Sequence, residues 1–148
     1  MNLFLDTSSL IKLYHEEQGT EELDFLFQNY SISKIYLSEI SKVEFASAFW
    51  KKTRTGELSH SVAAKIISLF ESDYSQFSFI LIDEIVIRQT RYLLNRHGVN
   101  GLRTLDGIQL ACASVLGRSA DLYKTNDRQL EGFFVQESLP VKIAGPKR

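Results

Sequence analysis

A single cysteine, Cys112, and only two prolines in 148 residues remove several fold classes at once. One thiol cannot form an internal bridge, and no Cys/His cluster has zinc-ligand spacing. A disulfide framework and a zinc finger are therefore excluded, and a reducing cytoplasm is the expected setting. Both prolines, Pro140 and Pro146, fall in the last nine residues, and the eight glycines are scattered. No linker, low-complexity tract or internal repeat is visible. Long hydrophobic runs are missing too: a typical one, Phe79 to Ile82, is four residues long, and the N-terminus opens into Leu3-Phe4-Leu5-Asp6 without a basic lead. Neither a signal peptide nor a membrane span is expected. Excess charge of one sign is also lacking, with 17 Lys+Arg against 18 Asp+Glu and a formal net charge of −1. No global positive field advertises a nucleic-acid partner, so any such binding must be local.

What is present fits one ordinary globular domain spanning residues 1–148. Hydrophobic residues make up 44% and charged residues 24%, and a chain of this length can hide roughly two thirds of its unfolded surface without a covalent staple. Short runs rich in β-formers occur at Leu3 to Leu5, Ile35 to Leu37, Phe79 to Ile82, Leu122 to Thr125 and Val141 to Ile143. Between them lie helical stretches at Glu21 to Gln28, Glu39 to Lys52, Val62 to Tyr74, Glu84 to Arg96 and Ile108 to Leu116, with Gly98 and Gly117 placed as helix terminators. Strands alternating with helices predict an α/β class: a three-layer α/β/α sandwich around a mainly parallel sheet. Right-handed connections then gather every strand C-terminus along one edge, where a site belongs.

Four acids fall at that edge. Asp6 closes the first strand, ahead of a helix expected to begin near Ser8. Asp127 closes the strand in Leu122-Tyr123-Lys124-Thr125-Asn126-Asp127. Asp106 stands at the start of the helix in Arg103-Thr104-Leu105-Asp106-Gly107-Ile108. Glu44 lies in Ser41-Lys42-Val43-Glu44-Phe45, on a largely apolar flank where a carboxylate needs a partner. Each has a plainer explanation. Asp6, Asp106 and Asp127 suit helix N-caps, with Gln109 as a reciprocal partner for Asp106, and Ser41 with Glu44 has capping-box spacing. Ser38, directly after its strand, reads as the better N-cap for that helix. Collectively, however, four carboxylates at one edge repel one another. Two unit charges 4 Å apart interact by about 4 kcal/mol at an effective dielectric near 20. A cation relieves this, and clustered hard oxygens with open positions suit Mg²⁺ or Mn²⁺, as one ion or two.

The segments LFLDTSSLIKLY, SEISKVEFASAF, RTLDGIQLACA and LYKTNDRQL, in that order and at these separations, make nearly the whole chain resemble a PIN-domain ribonuclease. The likeness is to the toxin subunit of VapBC-type toxin–antitoxin pairs. It implies that Asp6, Glu44 and Asp106 match the family's near-obligatory acids and Asp127 its more variable fourth, with Thr125 and Asn126 as the polar residues beside it and Thr7 in a supporting place. It further implies metal-dependent RNA cleavage, homodimers, and an antitoxin whose tail occupies the acidic groove. Gly107 departs from the commoner alanine, which loosens the helix start and shifts Asp106.

On this reading Asp6 anchors the principal ion, Asp106 and Asp127 complete its shell directly or through water, and Glu44 orients the attacking water, so that no Ser, Cys or His nucleophile is needed. Two divalent ions would carry the formal charge from −1 to +3, so the near-neutral composition is no objection to RNA. Two basic groups, Lys51, Lys52 and Arg54, and Arg88, Arg91, Arg96 and Arg103, could meet phosphates; Arg103, nearest Asp106, is the better contact, while Arg88 and Arg91 read as a solvated helix face. His15, His60 and His97 are expected at the surface or in loops with no role. Phe45, Phe49 and Trp50 could stack a base, but on an apolar helix they read as core or dimer contacts. Asp83, which also follows a strand, reads as a simple cap. The rivals are a Mg²⁺-dependent phosphotransfer enzyme, for which Ser8 stands where a second Asp is needed; a receiver-type module, which lacks an acidic pair before Asp6; and a catalytically inactive PIN-like interaction protein.

Overall fold

In the computed structural model, which describes residues 1–143, four parallel strands form one sheet: β1 (Asn2–Leu5), β2 (Lys34–Ser38), β3 (Ser78–Ile80) and β4 (Leu122–Lys124), in the order β3-β2-β1-β4. Phe4 pairs with Tyr36 on one side and Tyr123 on the other, which fixes the register around the central strand. The period-2 alternation of β1 divides the core. Leu3 and Leu5 face one layer, made of α1 (Thr7–Ile11), α2 (Thr20–Asn29), α3 (Ser41–Arg54) and α4 (His60–Ser72). Phe4 faces the other, made of α5 (Glu84–His97), α6 (Thr104–Leu116) and α7 (Arg128–Gln136). The expected α/β/α sandwich is thus present.

The aromatic residues settle one expectation. Phe45 and Phe49, one turn apart on α3, are fully buried, with rings 4.7 Å apart and Phe70 of α4 4.4 Å from Phe45. Fully burying such a side chain is worth about 1.5–3 kcal/mol. These rings clamp α3 to the sheet and are core rather than base-stacking surface, while half-buried Trp50 lies against His60.

Several boundaries differ from the sequence expectation. Val141 to Ile143 is not a strand; among the described residues the tail's backbone hydrogen bond to β4 is the one that Tyr123 N–H donates to Pro140 O at 2.8 Å. Helix α7 was hidden behind a short polar start. Gly98 is the C-cap of α5, but with right-handed angles, and it leads into a 3-10 turn that ends at Gly101, where the left-handed φ of 100° falls. Gly117 does take a positive φ, 53°, at the end of α6. Ser38 is no N-cap; Glu39 and Ile40 form a turn and α3 starts at Ser41, without a side-chain cap, so the Ser41/Glu44 capping box is absent as well. α6 starts four residues early, at Thr104, so Asp106 is in its first turn and not a cap. Gly107, far from loosening α6, lets it approach α5: a Cβ there would meet Leu94 Cδ2 at 3.3 Å and Thr90 Cγ2 at 3.4 Å.

Candidate active site

β1, β2 and β3 follow one another with their connecting helices on one face, whereas the chain crosses to the other face before β4 lands on the far side of β1. The crevice at the C-terminal ends of β1 and β4 is therefore a topological switch point, the place where open α/β sheets take ligands. Asp6 and the Thr125-Asn126-Asp127 loop sit there.

Asp6 caps α1, accepting from Ser9 N–H at 2.9 Å. Its other contacts exceed capping: Thr125 Oγ1 donates to Oδ2 at 2.6 Å, and Ser8 Oγ donates to both oxygens at 2.8 and 2.9 Å. Ser8 Oγ in turn accepts from Asn126 N–H at 2.8 Å, and Thr125 Oγ1 accepts from Asp127 N–H at 3.0 Å. Two hydroxyls thus stitch the β4 loop to the end of β1. Burial raises the Asp6 carboxyl to about 6, against the pull of Thr125, Ser9 and Ser8, and the charge of Glu44 adds to the rise.

Glu44 finds the partners its apolar flank demands. Its Oε1 accepts from Thr7 Oγ1 at 3.0 Å and from Gln109 Nε2 at 2.9 Å. Gln109 Nε2 also reaches Thr7 Oγ1 at 3.0 Å and Ser41 Oγ at 3.2 Å, so α1, α3 and α6 meet in one buried polar knot. Asp127 caps α7, with Oδ1 accepting from Gln129 and Leu130 amides at 2.8 and 3.1 Å. Asp106, half-buried, receives no hydrogen bond from any described residue. Burial raises its pKa, the charges of Asp127 and then Glu44 raise it further, and Arg103 opposes them.

The acids therefore act on one another in a chain from Asp6 through Glu44 and Asp106 to Asp127. Capping accounts for Asp127 and part of Asp6, but not for Glu44 or Asp106. They are not drawn into a tight knot. Among the described residues the one group of three with ligating atoms within 4.8 Å of each other is His15, Glu17 and Glu57, where Lys52 already bonds Glu17. An arrangement in which an ion takes one or two carboxylates directly and others through water, as Mg²⁺ prefers, matches this looser spacing. The donor set is all hard oxygen, and Asp106 has no competing protein donor, so the residues fit such an ion.

A pH effect follows from Asp6. A carboxyl whose pKa rises on folding, from 3.8 to about 6, favours the folded state at low pH and loses that contribution as pH rises through 6. In chelator, the folded state should weaken by about 2 kcal/mol from this group between pH 4 and 7, an order-of-magnitude figure read from urea midpoints. Asp106 contributes with the same sign.

Other placements vary. Asp83 is a plain cap for α5, accepting from Val86 N–H at 3.0 Å. Lys52 pairs with Glu17 and Glu57, Arg88 with Glu84 and Arg96 with Glu137, whereas Arg103 is exposed beside Asp106 and forms no ion pair among the described residues. His97 is buried, not superficial, and meets Glu137 at 3.0 Å. Sequence reasoning misassigned one residue and missed the roles of two more. Gln109 serves Glu44 rather than Asp106, Ser8 bridges Asp6 and Asn126, and buried Lys12 donates to Asn126 Oδ1 at 2.8 Å. A polar residue inside the apolar run Ile108-Gln109-Leu110-Ala111 was the one available hint for Gln109.

A family model described as PIN domain matches residues 3–133. The fold is similar to that of VapC20 from Mycobacterium tuberculosis, titled a Sarcin-Ricin loop cleaving toxin, with TM-score 0.62, 14% identity, and 88% of this chain and 93% of that one covered. It is also similar to VapBC2 from Rickettsia felis bound to a DNA fragment from their promoter, with TM-score 0.64, 16% identity and coverage of 96% and 98%. FitAcB from Neisseria gonorrhoeae gives TM-score 0.63, 18% identity and coverage of 94% and 95%. No curated protein sequence matches the chain.

Proposed function

Because the chain belongs to the PIN-domain family, we propose that it is a divalent-metal-dependent endoribonuclease, the toxin of a toxin–antitoxin pair. The observation that carries this reading is that beside Asp6 and Asp127, at the switch point, stand two further carboxylates that no helix cap explains: Glu44, held by Thr7 and Gln109, and Asp106, which receives no hydrogen bond from the described residues. Asp6 and Asp106 would hold Mg²⁺ or Mn²⁺, with Asp127 and Glu44 reaching it directly or through water. Such an ion supplies Lewis-acid chemistry, acidifying water and neutralising charge on an attacked phosphate.

The chain's own residues supply position and proton handling. Thr125 and Ser8 hold both oxygens of Asp6. Glu44, pinned by Thr7 and Gln109, is the proton acceptor for the attacking water. Arg103 and Asn126 flank the acids as donors to the RNA backbone. Hydrolysis by in-line attack leaves a 5′ phosphate and a 3′ hydroxyl. A homodimer, an antitoxin protein and a cytoplasmic setting complete the reading; the neighbours titled as VapBC and toxin–antitoxin complexes support the protein partner. No described helix is long and apolar enough to cross a membrane.

RNA incubated with the protein in Mn²⁺, in Mg²⁺ and in EDTA tests this. Cuts should appear with the ions, vanish in chelator, and carry 5′-phosphate ends. Cutting that persists in EDTA, or that leaves 2′,3′-cyclic phosphates, refutes the mechanism.

A further inference from the structure

Beside the acids, between the start of α2 and the start of α7, lies a cavity of about 540 Å³. Its wall is continuous with the site, because Thr125 lines it and donates to Asp6. No apolar side chain lines it. Gln18, Gly19 and Asn126 form part of it, Arg128 and Glu131 project from α7, and Glu22 from α2. We propose that this cavity is a subsite for the RNA phosphate next to the scissile one, held by Arg128 and the side-chain amide of Asn126. The inference rests on the ribonuclease reading above and extends it to how the strand is held.

Three features point to an anion. Arg128 is exposed and forms no ion pair among the described residues, although Glu131 lies one turn along the same helix. Asn126 is fixed from behind: Lys12 Nζ donates to its Oδ1, so the amide nitrogen is the end left to donate. Lys12 itself is only 8% exposed and has Asn126 as its hydrogen-bond acceptor, which places a second cation under the wall. Gly19 is what permits this closeness. At φ 91° it has a backbone that side chains rarely adopt, and a Cβ would lie 2.7 Å from Lys12 Nζ and 3.1 Å from Asn126 Oδ1.

The acids in the wall do not cancel these cations. Glu22 is engaged by Lys124 at 3.4 Å, leaving Glu131 as the opposing charge. The amides of Gln129 and Leu130 are consumed by Asp127, so binding does not draw on the helix end. A protein segment is the other chain that could lie here, but nothing apolar in the wall would receive its side chains. A guanidinium suits phosphate oxygens through paired N–H donors.

The test measures binding of a short fluorescent single-stranded oligoribonucleotide in EDTA across a salt series, together with Mn²⁺-supported cleavage. For Arg128→Gln, affinity should fall several-fold and the slope of log K against log salt should become less negative by about 0.7, the value of one single-strand phosphate contact. KM should rise with kcat unchanged, and Arg128→Lys should recover most of the slope. Glu131→Gln should shift affinity the opposite way. Unchanged slope and KM in Arg128→Gln, while wild type binds and cuts RNA, overturn the subsite alone. A wild type that neither binds nor cuts RNA overturns the ribonuclease reading with it. Because the Arg128 side chain makes no hydrogen bond or ion pair with the described residues, the melting curve of Arg128→Gln should match wild type, and a lowered one would assign Arg128 a structural role instead.

Discussion

Asp6→Asn is expected to abolish ion-dependent RNA cleavage and, at the same time, to make the ion-free protein more stable at neutral pH. Both follow from one carboxylate. Asn caps a helix about as well as Asp: its Oδ1 can still accept from Ser9 N–H, while its Nδ2, standing where Oδ2 was, makes the Thr125 hydroxyl turn from donor to acceptor. What disappears is the charge. Losing a directly coordinated anionic ligand removes several kcal/mol of transition-state stabilisation, so kcat/KM should drop by about a thousandfold or more. Meanwhile the burial that raises Asp6 to about 6 is a cost of holding that charge. Removing it should return up to about 3 kcal/mol at pH 7, and roughly 2 to 4 °C in Tm per kcal/mol for a domain of this size. Calorimetry in EDTA at pH 5 and pH 7.5 separates the two states, since the gain should shrink at the lower pH. Cleavage retained in Asp6→Asn, or a lower Tm at pH 7.5, would contradict this account. Adding Mn²⁺ should stabilise wild type far more than the variant, because an ion that binds only the folded state pulls the equilibrium toward it.

That opposition between stability and chemistry explains which parts of the molecule could be seen in the sequence. Asp6, Asp106 and Asp127 announce themselves by position: each follows a strand or opens a helix, and parallel topology sends all such places to one edge. Asp83 satisfies the same local rule and is only a cap, so the rule finds the edge without sorting it. What sorts it is the company each acid keeps, and company is tertiary. Glu44 was visible as an uncomfortable charge on an apolar flank, yet its partners Thr7 and Gln109 come from 37 and 65 residues away. Helix starts went astray for a related reason. Ser38 looks like an ideal N-cap, but its hydroxyl instead accepts from Ile40 N–H at 3.2 Å and meets the buried Cys112 Sγ at 3.2 Å. At Gly98 the chain had a second glycine three residues on, and the intervening 3-10 turn let Gly101 take the left-handed angles. Val141 to Ile143 has strand-like residues, but among the described residues of the tail the backbone bond to β4 comes from Pro140, so composition alone could not extend the sheet.

Gln109→Leu is expected to lower kcat about 10- to 100-fold, the range typical when a residue that orients an active group is lost. Gln109 is 2% exposed, and its Nε2 touches Thr7, Ser41 and Glu44 within 3.2 Å, while its Oε1 has no partner. Reversing the amide would satisfy the oxygen through the Thr7 and Ser41 hydroxyls but would set it against the Glu44 carboxylate. Electrostatics therefore fixes the nitrogen toward Glu44 at the expense of an orphaned carbonyl. Leu keeps the volume, removes the orphan and deletes the donor. The first change stabilises and the second costs about 1.5–3 kcal/mol for a hydrogen bond to a charged group, so the net loss in Tm should be small. Glu44, left with Thr7 alone, can then swing out of line. The signature is a fall in kcat with KM for RNA nearly unchanged and a higher Mn²⁺ concentration needed for half-maximal rate. Gln109→Glu should be worse on both counts, placing a second carboxylate against the first. If Gln109→Leu instead loses stability while its kcat at a permissive temperature equals wild type, Gln109 belongs to the scaffold and Glu44 needs no help in facing the water.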